Sequence, residues 1–199
     1  MSVDVAIIDS GGANLASLQF ALERLGATSV VTSDLEVISA APRVLLPGVG
    51  SALSAMQRLT ASGVAAHLPQ LQQPVLGICL GMQLLFLKSE EGPAQCLGVL
   101  PQTVRKLTPV PGRPVPHMGW NRLNIVHEDP LLAGVADREY VYFVHSYAAP
   151  AAANTLATCD YGVPIAAVVR KGNFWGTQFH PERSTKVGAR ILANFLGLT

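Results

Sequence analysis

The sequence predicts an α/β protein: an open, mostly parallel sheet flanked by helices, with an antiparallel β extension. Through the first half, short β-branched runs alternate with apolar residues spaced three and four apart, the pattern of parallel strands joined by crossover helices. The junctions after two of these strands, at 47–50 and 77–81, are rich in glycine. After Gly92 the texture changes: Pro101, Pro109, Pro111, Pro114 and Pro116 crowd in, and alternating segments follow without long helices between them.

Val3–Asp9 reads as the first strand. Asn14 can cap a helix with apolar positions at Leu15, Leu18, Ala21, Leu22 and Leu25, and Gly26 ends it. Val30–Thr32 and Arg43–Leu46 read as the second and third strands, Ser51–Leu59 and Val64–Leu71 as helices. Pro74–Cys79 is the next strand, and Leu80–Glu90 returns to helix. The antiparallel candidates are Val99–Leu107, Leu123–Val126, Tyr140–Tyr147, Thr155–Asp160, Ile165–Lys171 and Phe174–Phe179. Thr185–Leu196 is a last amphipathic helix. No repeat, linker or low-complexity segment divides the 199 residues, so 1–199 is read as one domain.

Composition narrows the ligand. A net charge of +1 without any Lys/Arg run argues against nucleic acid, because neutralising phosphates needs a basic face. Charged residues make up 14% of the chain, against roughly 25% in an average domain; an alanine-rich composition and a surface covered by a partner explain this equally well. No apolar run approaches the length of a membrane span, and the N-terminus reads as a strand rather than a signal peptide. The three cysteines, Cys79, Cys96 and Cys159, form neither a disulfide framework nor a zinc-ligand pattern, which suits a reducing cytoplasm.

Gly77-Ile78-Cys79-Leu80-Gly81 has the form glycine, x, nucleophile, x, glycine at a strand-to-helix turn. Side chains two positions either side of the turn would collide with the neighbouring strand and helix, and the glycines remove them. The cysteine then stands at a helix N-terminus, where the dipole favours a thiolate and unpaired N–H groups can hold an oxyanion. The alternative is a small buried hydrophobe with incidental glycines.

A cysteine nucleophile needs a base, and the chain has five histidines. His67 sits in a helical pattern and His127 beside Glu128 and Asp129, both ordinary surface settings. In Gln178-Phe179-His180-Pro181-Glu182-Arg183-Ser184, proline pushes His180 towards extended geometry, which sets Glu182 on the same side as His180 to orient its ring. This segment ends a strand and precedes a helix, so it belongs to the same sheet edge as the elbow. Leu46-Pro47-Gly48-Val49-Gly50, directly after strand three, is either a tight turn or a second source of oxyanion N–H groups.

With these pieces together, the chain resembles the class I (triad) glutamine amidotransferases over nearly its whole length. The motifs are Pro47-Gly48-Val49-Gly50, the stretch from Gly77 to Phe86, Pro116-His117-Met118-Gly119-Trp120-Asn121, Tyr142-Phe143-Val144-His145-Ser146-Tyr147, and Gln178 to Ser184. The third and fourth point to the branch that supplies ammonia to a (β/α)₈-barrel cyclase in histidine biosynthesis. The resemblance implies a flavodoxin-like core, no cofactor and no metal. It implies that Cys79 attacks the side-chain amide of L-glutamine, that His180 relays protons and that Glu182 holds His180. Leu80 and the Gly48, Val49, Gly50 loop would bind the oxyanion, and Gln83, His145, Ser146 and Tyr147 would position glutamine.

Ammonia released into neutral water would be protonated and lose its nucleophilicity, so the resemblance implies direct delivery to a heterodimeric partner, the barrel cyclase. Trp120 and Asn14 are candidates for that interface, with a core position the open alternative for Trp120. One departure stands out. Where the family commonly has Asp-Tyr-Gly-x-Gly-Asn, this chain has Asp9-Ser10-Gly11-Gly12-Ala13-Asn14. Three other readings are an amidase subunit of another synthase, such as those making anthranilate or pyridoxal phosphate, a free-standing cysteine hydrolase, and a catalytically silent regulatory module.

Overall fold

Strand β1 (Val5–Ile8) is fully buried, and its alternation sorts two hydrophobic layers. Val5 and Ile7 pack with Leu18 and Leu22 of α1 (Leu15–Glu23) and with Ile191, Leu192 and Phe195 near the C-terminus. Ala6 and Ile8 pack on the other face with Ile38, Leu59 and Val64. Each such aliphatic side chain removed from water stabilises the fold by roughly 1.5–3 kcal/mol. The computed structural model describes residues 3–10 and 15–199; Asn14, read as cap and interface residue, lies outside the described residues with Gly11, Gly12 and Ala13.

The chain continues through β2 (Ser29–Thr32), α2 (Leu35–Ala40), β3 (Val44–Leu46), α3 (Ala52–Ala61), α4 (Val64–His67), β4 (Val75–Ile78) and α5 (Leu80–Leu84). The second half holds β5 (Phe86–Ser89), β6 (Ala94–Gln95), β7 (Leu100–Lys106), β8 (His117–Arg122), β9 (Asn124–Ile125), β10 (Tyr140–His145), β11 (Tyr147–Ala148), β12 (Thr155–Asp160), β13 (Pro164–Lys171), β14 (Phe174–Thr177) and α6 (Thr185–Leu196). The main sheet runs β2-β1-β3-β4-β14-β13-β12-β9. Its first five strands are parallel and the rest antiparallel. A second sheet, β11-β7-β5-β6, and the antiparallel pair β10-β8 complete the extension. Among the described residues no helix is long and apolar enough to cross a membrane.

Several elements differ from the sequence reading, among them β6 and β8, which it did not place, and β14, read as antiparallel but parallel to β4. The helix expected over Leu80–Glu90 stops at Leu84, and Phe86–Ser89 is strand β5. The returning chain supplies the reason: N–H groups of Leu97, Leu100 and Gly98 bond to the carbonyls of Leu84, Leu85 and Phe86, taking acceptors that a longer helix would need. Helix α2 was missed although its signal was present, since Asp34 accepts from the N–H groups of Glu36 at 2.8 Å and Val37 at 3.4 Å. The segment Val64–Leu71 is one short α-turn followed by a 3₁₀ turn at Leu68–Gln70.

Candidate active site

The carboxyl ends of β3, β4 and β14 lie side by side in the parallel sheet, and each releases one part of the site. After β4, Cys79 takes φ 54° and ψ −110°, a strained conformation for a side-chain-bearing residue, before α5 begins. Its N–H bonds to Thr177 O of β14 at 2.7 Å, which ties the turn to the neighbouring strand. The close approach of the loop after β3 explains Gly81: a Cβ there would lie 1.6 Å from Leu46 O. At Gly77 a Cβ would meet Gly81 O and Met82 N, both at 2.7 Å.

After β14, His180 is extended, as Pro181 requires, and its N–H bonds to Tyr142 O at 3.0 Å. Pro181–Arg183 then forms a 3₁₀ turn. Glu182 therefore reaches His180 from a turn rather than from the same side of an extended strand. Glu182 Oε1 accepts from His180 Nδ1 at 2.8 Å. The turn docks against α6 at Gly188, where a Cβ would sit 1.8 Å from Pro181 O. Ser184 Oγ donates to His180 O at 2.7 Å and accepts from Tyr142 N at 3.0 Å, which braces the segment against β10.

The electrostatics of His180 follow from this packing. Burial, the strongest single influence, disfavours the charged ring, but hydrogen bonds to Cys79 and Glu182 and the charges of both outweigh it and raise His180 to about 10. The two groups that favour its charged form, Cys79 and Glu182, are thus both partners of the one ring. The other two cysteines are built differently: burial pushes the Cys96 thiol to about 11 and, with the Asp160 charge, the Cys159 thiol to about 12. Neither lines the Cys79 pocket.

That pocket encloses about 540 Å³. Gly48, Val49, Gly50, Cys79, Leu80 and His180 line it, together with Gln83, His145, Ser146 and Tyr147. Among the described residues, no acceptor pairs with the N–H groups of Gly48, Val49, Gly50 or Leu80. Glu91, which the sequence reading missed, also lines the pocket; its Oε2 accepts from Ala52 N at 2.9 Å at the start of α3. The clue was its place soon after a cysteine elbow, hidden by the expected helix. Among the described residues, no group of three or more His, Cys, Asp or Glu side chains is arranged to hold a metal ion.

Gln83 and His145 reach the pocket with much of their hydrogen bonding already used. Gln83 Nε2 donates to Tyr147 O at 2.8 Å and Gln178 Oε1 at 2.9 Å, leaving its carbonyl oxygen to offer. His145 Nδ1 donates to Tyr147 O at 2.8 Å, and its Nε2 faces His117 Nδ1 at 3.0 Å. Burial lowers His117 to about 4. Burial, followed by the His117 and His180 charges, lowers His145 to about 3 against the pull of the Tyr147 carbonyl. The neutral state fixes the tautomers: His117 Nδ1–H donates to His145, and Asn121 Nδ2 donates to His117 Nε2 at 3.3 Å. The sequence reading left this paired role of His117 unseen, because it exists only through the register of β8 against β10, where His117 faces His145.

This pair makes a pH prediction. Each histidine takes a proton in the unfolded chain below about pH 6.5 but stays neutral in the fold. Stability is therefore expected to fall by roughly 1.4 kcal/mol per pH unit for each of them as the pH drops from about 6.5 towards 4. His180 has the opposite sign: its contribution is complete below about pH 6.5 and is lost only as the pH rises towards about 10. Urea-unfolding midpoints between pH 7 and pH 5 measure the difference, and a flat profile would contradict the buried neutral pair.

The sequence profile of the family described as glutamine amidotransferase class-I matches residues 6–198. The chain belongs to the class-I glutamine amidotransferase family. It is 56% identical over 196 residues to the imidazole glycerol phosphate synthase subunit HisH of Xanthomonas oryzae pv. oryzae, covering 98% of both chains. Against the subunit of the same name from Xylella fastidiosa (strain Temecula1) it is 54% identical over 193 residues, covering 97% of this chain and 96% of the other. The fold is shared with a crystal structure of a putative GMP synthase subunit from Thermoplasma acidophilum, at TM-score 0.77 and 20% identity, over 99% of this chain and 94% of that one. A second crystal structure, described as a glutamine amidotransferase, matches at TM-score 0.75 and 19% identity over 98% and 97%. The expected class-I amidotransferase fold is thus the observed one.

Proposed function

We propose that this chain is the glutaminase subunit of an imidazole glycerol phosphate synthase. It hydrolyses L-glutamine to glutamate and ammonia, and a (β/α)₈-barrel cyclase subunit in the cytoplasm uses the ammonia to make imidazole glycerol phosphate and an aminoimidazole carboxamide ribonucleotide. The observation that carries the reading is Cys79 at a strained helix entry, sharing its pocket with a His180 that Glu182 holds at 2.8 Å. Full-length relatives named as this subunit favour it over the amidase subunits of other synthases.

In this reading Cys79 Sγ attacks the side-chain amide carbon of glutamine, and the amide oxygen becomes an oxyanion held by N–H groups of Leu80 and the 48–50 loop. His180 gives its proton to the amide nitrogen, and the carbon–nitrogen bond breaks to release ammonia and leave a γ-glutamyl thioester. Water then loses a proton to His180 and attacks the thioester; the carbon–sulfur bond breaks, and glutamate departs. Glu182 keeps the ring oriented through both halves. Glu91, a carboxylate in the pocket, suits the α-ammonium of glutamine, and the 145–147 backbone, braced by Gln83 and His145 through Tyr147 O, also lines the pocket.

The barrel cyclase fits the outer face of the β8–β10 pair. Met118, Trp120 and Tyr140 stand 65%, 50% and 47% exposed there, and Trp120 packs edge-on against Tyr142. A core position for Trp120 is thereby excluded; the buried tryptophan is Trp175, at 4%. Glutamate release measured with the chain alone, with the barrel cyclase, and with cyclase plus nucleotide tests the whole reading. We expect slow release alone and the fastest with both. Fast release from the chain alone would favour a hydrolase, and none in any mixture a silent module.

A further inference from the structure

Ser10 stands where the resemblance leads one to expect tyrosine. It follows β1 at the carboxyl edge of the sheet and is 3% exposed. Its N–H bonds to Ile8 O at 3.0 Å, and its hydroxyl donates to Pro47 O at 2.8 Å. Pro47 opens the loop that carries Gly48, Val49 and Gly50. The carbonyl of Pro47 and the N–H of Gly48 belong to one trans peptide unit, so they point in opposite directions from a single rigid plane. Holding the oxygen therefore aims the hydrogen.

The far side of that plane is held by contact alone. A Cβ on Gly48 would lie 2.9 Å from both Gly81 N and Leu80 Cβ, so the loop rests directly on the elbow. Two glycines in three residues, with Gly50 at φ 87°, leave the loop free to rotate its peptides unless something outside it sets the first one. Among the described residues, the one side chain bonded to this loop's carbonyls is Ser10.

We propose that Ser10 is a positioning residue for the oxyanion loop: its hydroxyl sets the direction of the Gly48 N–H and with it the course of residues 48–50 beside Cys79. The proposal rests on the glutaminase reading. Because an oxyanion exists only in the transition state, misaiming its donors lowers kcat and leaves glutamine binding nearly untouched.

The test is steady-state glutamine hydrolysis by the complex with the barrel cyclase, using wild type, Ser10→Ala and Ser10→Thr. Ser10→Ala should lose about tenfold or more in kcat with KM changed by less than about twofold, the order of effect of weakening one oxyanion donor. Ser10→Thr keeps the hydroxyl and should return kcat to within about threefold of wild type. An unchanged kcat in Ser10→Ala overturns the proposal, as does a change confined to KM, or equal loss in the alanine and threonine variants. A wild-type complex that releases no glutamate overturns the functional reading itself, so the two failures are distinguishable.

Discussion

Cys79→Ser is expected to abolish glutamine-dependent synthesis by the complex while leaving synthesis from added ammonia intact. Serine keeps the size and the strained turn but replaces a sulfur nucleophile with a hydroxyl, which is intrinsically far harder to ionise and a weaker nucleophile at neutral pH. The loss should reach on the order of 10³-fold or more, the scale seen when a member of a catalytic triad is removed. Ammonia-dependent synthesis uses only the partner's chemistry and the intact interface. Loss of both activities would mean that Cys79 acts as a structural residue.

The largest expected effect on stability comes from Gly81→Ala. The added methyl would stand 1.6 Å from Leu46 O, a backbone atom fixed by the β3–β4 ladder, so neither side can step aside. Relief requires the elbow to separate from the oxyanion loop. We expect a loss above about 4 kcal/mol or no folded protein, a range reached by a short list of causes, overpacking in a core among them. Gly26→Ala is the control, since Gly26 has φ 79° but open space around it. It should show the backbone penalty alone, about 1–2 kcal/mol. Urea unfolding of the two variants compares them, and similar midpoints would refute the steric account.

What the sequence disclosed depended on how local the cause was. The elbow and α6 are written in contiguous residues, and α6 spans Thr185–Leu196, as its periodicity predicts; the partnership of His180 with Glu182 was also legible, but its geometry was not, because Pro181–Arg183 is a 3₁₀ turn and not extended chain. The shared sheet edge of Cys79 and His180 was expected too, although Phe174–Phe179 read as antiparallel; β14 pairs parallel with β4 and antiparallel only with β13, which sets both loops on one edge. Strand β5 did not: Leu85-Phe86-Leu87-Lys88 favours a helix locally, and only carbonyls taken by residues 97–100 end it. The His117–His145 pair depends on pairing strands 28 residues apart, for which the sequence holds no local sign. Ser10 looked like a mere departure from the family pattern, and its bond to Pro47 became visible only when β1 and β3 were side by side.

The proposed reaction turns on a covalent bond between Cys79 Sγ and the side-chain amide carbon of glutamine. Acid-quenching the complex during turnover, followed by peptide mass mapping, tests it most directly. Wild type should carry a γ-glutamyl adduct on Cys79, and Cys79→Ser none. Continued glutamate release by Cys79→Ser, or an adduct on Cys96 or Cys159 instead, would contradict it.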